Sequence, residues 1–315
     1  MITKTELEQL WSAIIPQAGQ TVGRRADSAH PLDFFITYDE SPNMQFMLLA
    51  EFQPALPKSS EQIYVRGNQR EDGKYAICFS LADTSLTDQY ISLCWDIMEC
   101  TYHEKNNRQG IQSAIKRFIL WQRLFAERHE KKLSETEIKG LIGELNILKK
   151  ICIPKYGADS AISGWMGPTG SDRDFEYADA WYESKYLSLS MDKVQISSLD
   201  QLDTDAPGFL AISRAEKASP EAGNAITLNE IIDDILCMIG KDENTLVSFK
   251  NKLALYGYER NDDRSEQPYS IFDIELYAVN SNSFPRIRRS TVHNAVTEGN
   301  YKLSVPALSG WKVDK

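Results

Sequence analysis

Apolar and polar positions in the first third of the chain follow a pattern that predicts an α+β unit. Two pairs of short apolar stretches are each separated by turn-forming residues, which predicts two β-hairpins. Apolar residues with helical spacing precede and follow these hairpins. The predicted elements are a helix over 5–15, strands over 33–38, 43–52, 62–66 and 74–81, and a helix over 86–101.

A polar segment over residues 103–110 interrupts this pattern and predicts a domain boundary. We therefore expect an N-terminal α+β domain over residues 1–106 and a second domain over 107–315. In the second domain, Ser134 and Glu137 have the spacing of a helical capping box. The predicted elements of this domain are helices over 111–127, 134–151, 197–202, 227–239 and 243–255, and strands over 174–177, 181–187, 209–213 and 270–279.

The composition is that of a soluble globular protein, with 42% hydrophobic and 25% charged residues. No apolar run approaches the roughly 20 residues that a membrane helix needs. The N-terminal residues lack the apolar segment of a secretory signal. The five cysteines are dispersed and have no zinc-ligand spacing, which favours reduced thiols. We therefore expect a cytoplasmic protein with no membrane partner.

The net charge of −10 argues against a protein that coats nucleic acid without specificity. It does not exclude an enzyme that acts on nucleic acid, because carboxylates that hold a metal ion add negative charge. A local basic groove can also exist on an acidic protein. The charge predicts weak DNA binding by the isolated chain, which a partner would remedy.

Glu144 has an unusual position on the predicted helix over 134–151. At roughly 100° per residue, it falls inside the apolar arc of the helix rather than opposite it. A carboxylate buried there needs a partner or a metal ion, whereas one at the edge of the arc would reach water. Gly140 and Gly143 are also unusual in a helix and indicate the close approach of another backbone. The apolar stripe consists of Ile138, Leu141, Leu145 and Leu148.

A second group of candidate catalytic residues lies on the predicted hairpin that follows. Asp174 opens the first strand after a glycine-rich loop and is preferred to Asp172, because an apolar residue follows it into the strand. Glu183 and Lys185 share one face of the second strand, because strand side chains alternate. Taken separately, these residues are more typical of a turn aspartate and an edge-strand ion pair. Their combination with Glu144 is more specific.

This combination suits the hydrolysis of a phosphodiester. A hard cation such as Mg²⁺ is held by carboxylate oxygens and retains several waters. The bound cation can polarise a phosphate and lower the pKa of a water molecule. A lysine beside the carboxylates can orient the attacking water and stabilise developing charge.

At these positions the sequence resembles the PD-(D/E)XK nuclease superfamily, which has the restriction-endonuclease-like fold. Asp174 matches the motif aspartate, although Arg173 stands where the motif has proline. Glu183 and Lys185 match the (D/E)XK element, and Glu144 matches the acidic residue on the preceding helix. The segments around these residues, 140–145, 165–168 and 195–202, resemble a bacterial branch encoded beside restriction and phage-defence genes.

The resemblance implies an α+β core with a central mixed sheet flanked by helices, acting on DNA. It also implies a Mg²⁺ or Mn²⁺ ion, with Glu144, Asp174 and Glu183 as its ligands and Lys185 as a further catalytic residue. Related nucleases often place a polar residue near the site. Gln201, on the predicted helix over 197–202, is preferred for this role to Gln195.

Two functional hypotheses follow. The first is a metal-dependent DNA endonuclease subunit of a bacterial defence system, with defence-system protein partners and an oligomer expected for double-strand cleavage. The alternative is a non-catalytic interaction or DNA-binding subunit that retains the nuclease fold. A late basic cluster fits either a solvated turn, which we favour, or a contact with DNA phosphates. The cluster consists of Arg286, Arg288 and Arg289.

Overall fold

The computed structural model describes residues 1–104, 106–127, 132–279 and 283–314. The chain divides into two compact units, Met1–Lys131 and Lys132–Lys315. Both units combine helices with sheets, so the predicted α+β class is confirmed. Over the described ranges, none of the helices has the length and apolar character needed to cross a membrane.

The first unit contains an antiparallel sheet with the strand order β1-β2-β3-β5-β4. Both predicted hairpins and the predicted helices are present. Strand β1 was not predicted, because it is mostly exposed and lacks apolar alternation. The elements are α1 (Lys4–Ser12), β1 (Val22–Arg25), β2 (Asp33–Tyr38), β3 (Met44–Ala50), β4 (Ile63–Gln69), β5 (Tyr75–Leu81), α2 (Thr87–Thr101) and α3 (Asn107–Glu127).

The division between the units falls after α3, later than the predicted boundary at residue 106. Helix α3 packs against α2 around the fully buried Asp96. The carboxylate of Asp96 accepts a hydrogen bond from Trp121 Nε1 at 2.8 Å and pairs with Arg117 Nε at 3.1 Å. The polar residues near 107 therefore begin a helix that packs within the first unit.

The second unit is built on a mixed sheet with the strand order β10-β11-β9-β7-β6, and β13 also pairs with β11. Strands β7 and β9 are parallel, whereas the other neighbours are antiparallel. A separate two-stranded antiparallel sheet pairs β8 with β12. The elements are α4 (Glu135–Ile147), α5 (Ile153–Tyr156), α6 (Ala158–Ser163), β6 (Phe175–Glu176), β7 (Trp181–Leu187), β8 (Lys193–Ile196), β9 (Gly208–Lys217), β10 (Ala225–Ile226), α7 (Leu228–Ile239), α8 (Glu243–Tyr256), β11 (Tyr269–Ala278), β12 (Tyr301–Ser304) and β13 (Lys312–Val313).

Helix α4 begins at the predicted capping box and lies against β7. Ser134 Oγ accepts from Glu137 N, and the Glu137 carboxylate accepts from Ser134 N. A Cβ added at Gly143 would lie 3.6 Å from Tyr186 N, so the helix approaches the strand backbone there as predicted. A Cβ at Gly140 would instead meet the Tyr256 hydroxyl at 3.1 Å.

The two faces of β7 belong to different parts of the core. Tyr182 packs in a cluster with apolar residues of α4 and α7. Trp181 and Leu187, which point to the opposite face, pack in a second cluster with residues of β8, β9 and β12. Glu183 and Lys185 lie between Trp181 and Leu187 along the strand and share their face, as the alternation predicts.

The predicted helix over 197–202 is wrong, because this segment forms bends and a turn. Ser198 Oγ accepts hydrogen bonds from Asp200 N and Gln201 N, both at 3.3 Å. The amide oxygen of Gln201 accepts from Ser197 N at 2.7 Å. Such local bonds between side chains and backbone compete with helix formation. Strand β8, which precedes the turn, was not predicted.

Candidate active site

The β6–β7 hairpin brings Asp174 and Glu183 together. Phe175 pairs with Tyr182, so one further step of the antiparallel register sets Asp174 opposite Glu183. Ser184 N donates a hydrogen bond to Asp174 Oδ2 at 2.7 Å, which fixes the aspartate against β7. The hairpin thus supplies two carboxylates from adjoining strands.

Glu144 approaches the same region from α4. The residue is only 7% exposed, so it is buried and does not reach water at the edge of the helix. Its Oε2 accepts a hydrogen bond from Trp165 Nε1 at 2.7 Å, and its Oε1 accepts one from the Tyr256 hydroxyl at 3.0 Å. Both carboxylate oxygens therefore have protein donors.

The loop between α6 and β6 passes between the carboxylates of Glu144 and Asp174. A Cβ added at Gly167 would lie 2.2 Å from Glu144 Oε2 and 3.4 Å from Asp174 Oδ1, so only glycine fits without displacement. The backbone N–H groups of Met166 and Gly167 both donate to the carbonyl oxygen of Asp174. The glycine at this position allows the two acidic side chains to approach each other.

A buried lysine on α8 anchors this loop. Lys252 is 2% exposed, and its Nζ donates to the carbonyl oxygens of Ile162, Ser163 and Trp165 at 2.5, 2.9 and 2.7 Å. The lysine thereby fixes the backbone that carries the indole donor of Glu144. Sequence reasoning missed Lys252. Its place in the helix between the apolar Phe249 and Leu253 was the available signal.

Glu183 and Lys185 form an ion pair in which the glutamate is buried and the lysine is half-buried. Lys185 Nζ lies 2.7 Å from Glu183 Oε1, and the glutamate is 1% exposed. An exposed edge-strand pair is therefore not what the structure contains. The other oxygen, Glu183 Oε2, is buried and has no hydrogen-bond partner among the described residues. A buried carboxylate oxygen without a partner is costly, so the site favours a further ligand there.

Burial raises the pKa values of all three carboxyl groups. Burial, followed by the charge of Asp174, raises the pKa of Glu183 to about 8, against the lowering effect of Lys185. The same two causes raise the pKa of Glu144 well above its ordinary value. Burial also raises the pKa of Asp174, although Lys185 and the Ser184 N–H oppose this effect. The cluster therefore has too little neighbouring positive charge to keep all three carboxyl groups ionised, and a bound cation would supply it.

A divalent hard cation suits this donor set. Asp174 and Glu183 offer carboxylate oxygens from facing strands, and such an ion would complete its shell with waters. Over residues 1–104, 106–127, 132–279 and 283–314, the structure contains no group of three His, Cys, Asp or Glu side chains arranged to hold a metal ion. Glu144 is turned to its indole and phenol donors, so its direct bond to the ion stays a prediction.

Comparison with protein families matches residues 7–306 to the family described as "Putative PD-(D/E)XK family member, (DUF4420)". The chain belongs to this family. The match covers nearly the whole of both units. Comparisons with curated proteins and with solved structures found no match.

In this PD-(D/E)XK family member, Gln201 and the late basic cluster both lie around the turn after β8. Gln201 belongs to that turn, where its amide oxygen is engaged with Ser197 N. The late basic cluster binds the same turn. Arg286 donates to the carbonyls of Leu202 and Thr204, whereas Arg288 and Arg289 pair with Asp205 and Asp200. These arginines therefore bind protein carboxylates and carbonyls of the turn, and Arg289 is also exposed to solvent.

Proposed function

We propose that this PD-(D/E)XK family member is a metal-dependent DNA endonuclease subunit. The observation that carries the proposal is the ion pair of the buried Glu183 with Lys185, which faces Asp174 across the hairpin. One oxygen of Glu183 holds the lysine, whereas the other has no described partner. Two adjacent carboxylates with raised pKa values and a neighbouring ammonium group are typical of a site that binds metal and phosphate.

In the proposed reaction, Asp174 and Glu183 would hold a Mg²⁺ or Mn²⁺ ion, which would supply Lewis-acid activation of the phosphate. Lys185 is fixed by Glu183 Oε1 and has N–H groups left to orient the attacking water or to bind a phosphate oxygen. Water attacks the phosphorus and loses a proton to solvent, while the P–O bond to the leaving group breaks and the leaving oxygen takes up a proton. Glu144 is the third expected ligand, and hydrogen bonds from Trp165 and Tyr256 fix its orientation.

We place this activity in a bacterial restriction or phage-defence system, because of the resemblance of the segments around the site. The net charge of −10 supports a protein partner that contributes DNA affinity. Cleavage of both DNA strands generally requires two such sites, so an oligomer or a hetero-complex is part of the proposal. The expected location is the cytoplasm, where this DNA would be met.

Plasmid nicking with Asp174→Asn and Asp172→Asn variants tests the proposal. Asp174 faces Glu183, whereas the nearby Asp172 is exposed and provides a matched loss of charge. With Mg²⁺ or Mn²⁺, we expect the wild type and Asp172→Asn to nick DNA. Asp174→Asn is expected to be slower by at least about 100-fold, which is several kcal/mol of transition-state stabilisation. Equal activity of all three proteins would contradict the assignment.

The alternative is a non-catalytic subunit that retains the nuclease fold. The hydrogen bonds that already occupy both oxygens of Glu144 favour it, as does the acidic charge. Calorimetric titration with Mn²⁺ distinguishes the two functions. A site for Mn²⁺ that is lost in Asp174→Asn supports the nuclease, and the absence of binding and cleavage by the wild type supports the alternative.

A further inference from the structure

Arg173 is a cation beside the candidate site to which the proposed reaction has not yet assigned a role. It directly precedes Asp174 and stands where the PD motif has proline. Its guanidinium lies over the ring of Trp181, 5.2 Å from the ring centroid. Trp181 shares a face of β7 with Glu183 and Lys185, so Arg173 stands on the side of the strand that carries these two residues.

The hydrogen-bonding capacity of Arg173 is largely unused. Its described hydrogen bond runs from Nη1 to Glu176 Oε1 at 3.3 Å, and the Glu176 side chain is 44% exposed. Arg173 Nε is buried and has no described partner. Arginine presents five donors in a planar fork, and leaving a buried donor unpaired is costly.

The charge of Arg173 also reaches the site. The guanidinium acts to lower the pKa of Glu183, so it is close enough to interact with that carboxylate. A neighbouring cation, Lys155, has its Nζ 3.0 Å from the Asp179 carboxylate and 3.3 Å from the Tyr182 hydroxyl. Arg173 therefore differs from Lys155 in having donors left for a ligand.

We propose that Arg173 binds a backbone phosphate of the DNA substrate. Stacking on Trp181 fixes the plane of the guanidinium, and a planar fork suits two oxygens of one phosphate. Reorientation of the guanidinium away from Glu176 would present Nε and Nη to that phosphate. Arg173 and Lys185 would then supply positive charge from both sides of Asp174. This inference rests on the proposed nuclease function.

Binding of a fluorescein-labelled DNA duplex, measured by anisotropy at several salt concentrations with Ca²⁺ replacing Mg²⁺, tests the role of Arg173. We expect Arg173→Ala to weaken binding about tenfold and to reduce the salt slope by about 1, the signature of one lost phosphate contact. Arg173→Lys should retain the salt slope. With Mg²⁺ it should cleave more slowly than the wild type, because it lacks the planar fork.

Two matched variants separate phosphate binding from a structural ion pair. Glu176→Gln removes the described partner of Arg173 and should leave DNA binding unchanged or tighter, because it frees the guanidinium. Lys155→Ala removes a neighbouring charge that is already paired and should preserve the wild-type salt slope. Equal weakening by Glu176→Gln and Arg173→Ala would overturn the inference, since a merely structural pair predicts that result.

Two further outcomes keep the test decisive. If Arg173→Ala does not fold, Arg173→Gln takes its place, because it retains a long polar side chain without the charge. A wild-type salt slope in a folded Arg173 variant, with wild-type cleavage, would overturn the inference and leave the nuclease function standing. A wild-type protein that neither binds nor cleaves DNA would overturn both.

Discussion

At the scale of single residues, the burial of Glu183 gives a prediction about pH. The pKa of this carboxyl is about 8 in the native state and close to 4.5 when the chain is unfolded. Between these values the native state keeps a proton that the unfolded state releases. The stability from this group is therefore fully present below about pH 4.5 and is lost as the pH rises towards about 8.

Thermal or urea unfolding of the metal-free wild type and of Glu183→Gln between pH 5 and 9 measures this effect. The free energy of unfolding of the wild type, minus that of Glu183→Gln, should fall with rising pH by at most about 1.4 kcal/mol per pH unit. It should become constant above about pH 8, and Mg²⁺ should offset the loss. Parallel pH profiles of the two proteins would show that Glu183 does not titrate in this way.

The hydroxyl of Tyr256 donates a hydrogen bond that holds the Glu144 carboxylate in place. Tyr256→Phe removes one of the two donors of this carboxylate and leaves the ring in place. Loss of such a supporting hydrogen bond should lower nuclease activity by about 10-fold or more, with a stability loss of about 1 kcal/mol. Tyr258→Phe is the matched control, because that hydroxyl bonds to Asn229. Comparable nuclease activity in both variants would argue against a role for Glu144.

At the scale of elements, the loop from α6 to β6 determines how closely the carboxylates approach. A methyl group at Gly167 would overlap Glu144 Oε2, so Gly167→Ala has to displace the glutamate or the loop. We expect metal-dependent cleavage to fall at least about 10-fold, because misplacing a supporting group has that effect. Gly223→Ala meets nothing within 4 Å and should cleave DNA like the wild type. Unchanged cleavage by Gly167→Ala would separate this loop from catalysis.

Strong local patterns in the sequence predicted the elements that carry the site. The capping box at Ser134 fixed the start of α4, and the alternation over residues 181–187 fixed β7. The prediction of a helix over 197–202 was wrong, because Ser198 Oγ accepts hydrogen bonds from the nearby backbone N–H groups of Asp200 and Gln201. The exposed β1 and the short β8 carry too few alternating apolar residues to be distinguished from loops.

The sequence did not predict the contacts between elements that lie far apart along the chain. It indicated that Glu144 needed a partner, but Trp165 and Tyr256 lie far from it along the chain and meet it only through tertiary packing. The same holds for Lys252 and its three carbonyl acceptors. The register that sets Asp174 opposite Glu183 was accessible, because a short turn joins the two strands.

At the scale of the whole molecule, family membership extends over both units, whereas the four proposed catalytic residues lie in the second. The first unit carries its own sheet and core, and the buried Asp96–Arg117 pair belongs to it.

The central claim is that Glu183 and Lys185 act in phosphodiester hydrolysis, and plasmid cleavage by the wild type beside Lys185→Ala tests it most directly. With Mg²⁺ or Mn²⁺, the wild type should convert supercoiled plasmid to nicked or linear DNA, and EDTA should stop it. Lys185→Ala should be folded and slower by about 100-fold or more. Cleavage by the variant at the wild-type rate, or metal-independent cleavage by both proteins, would contradict the claim.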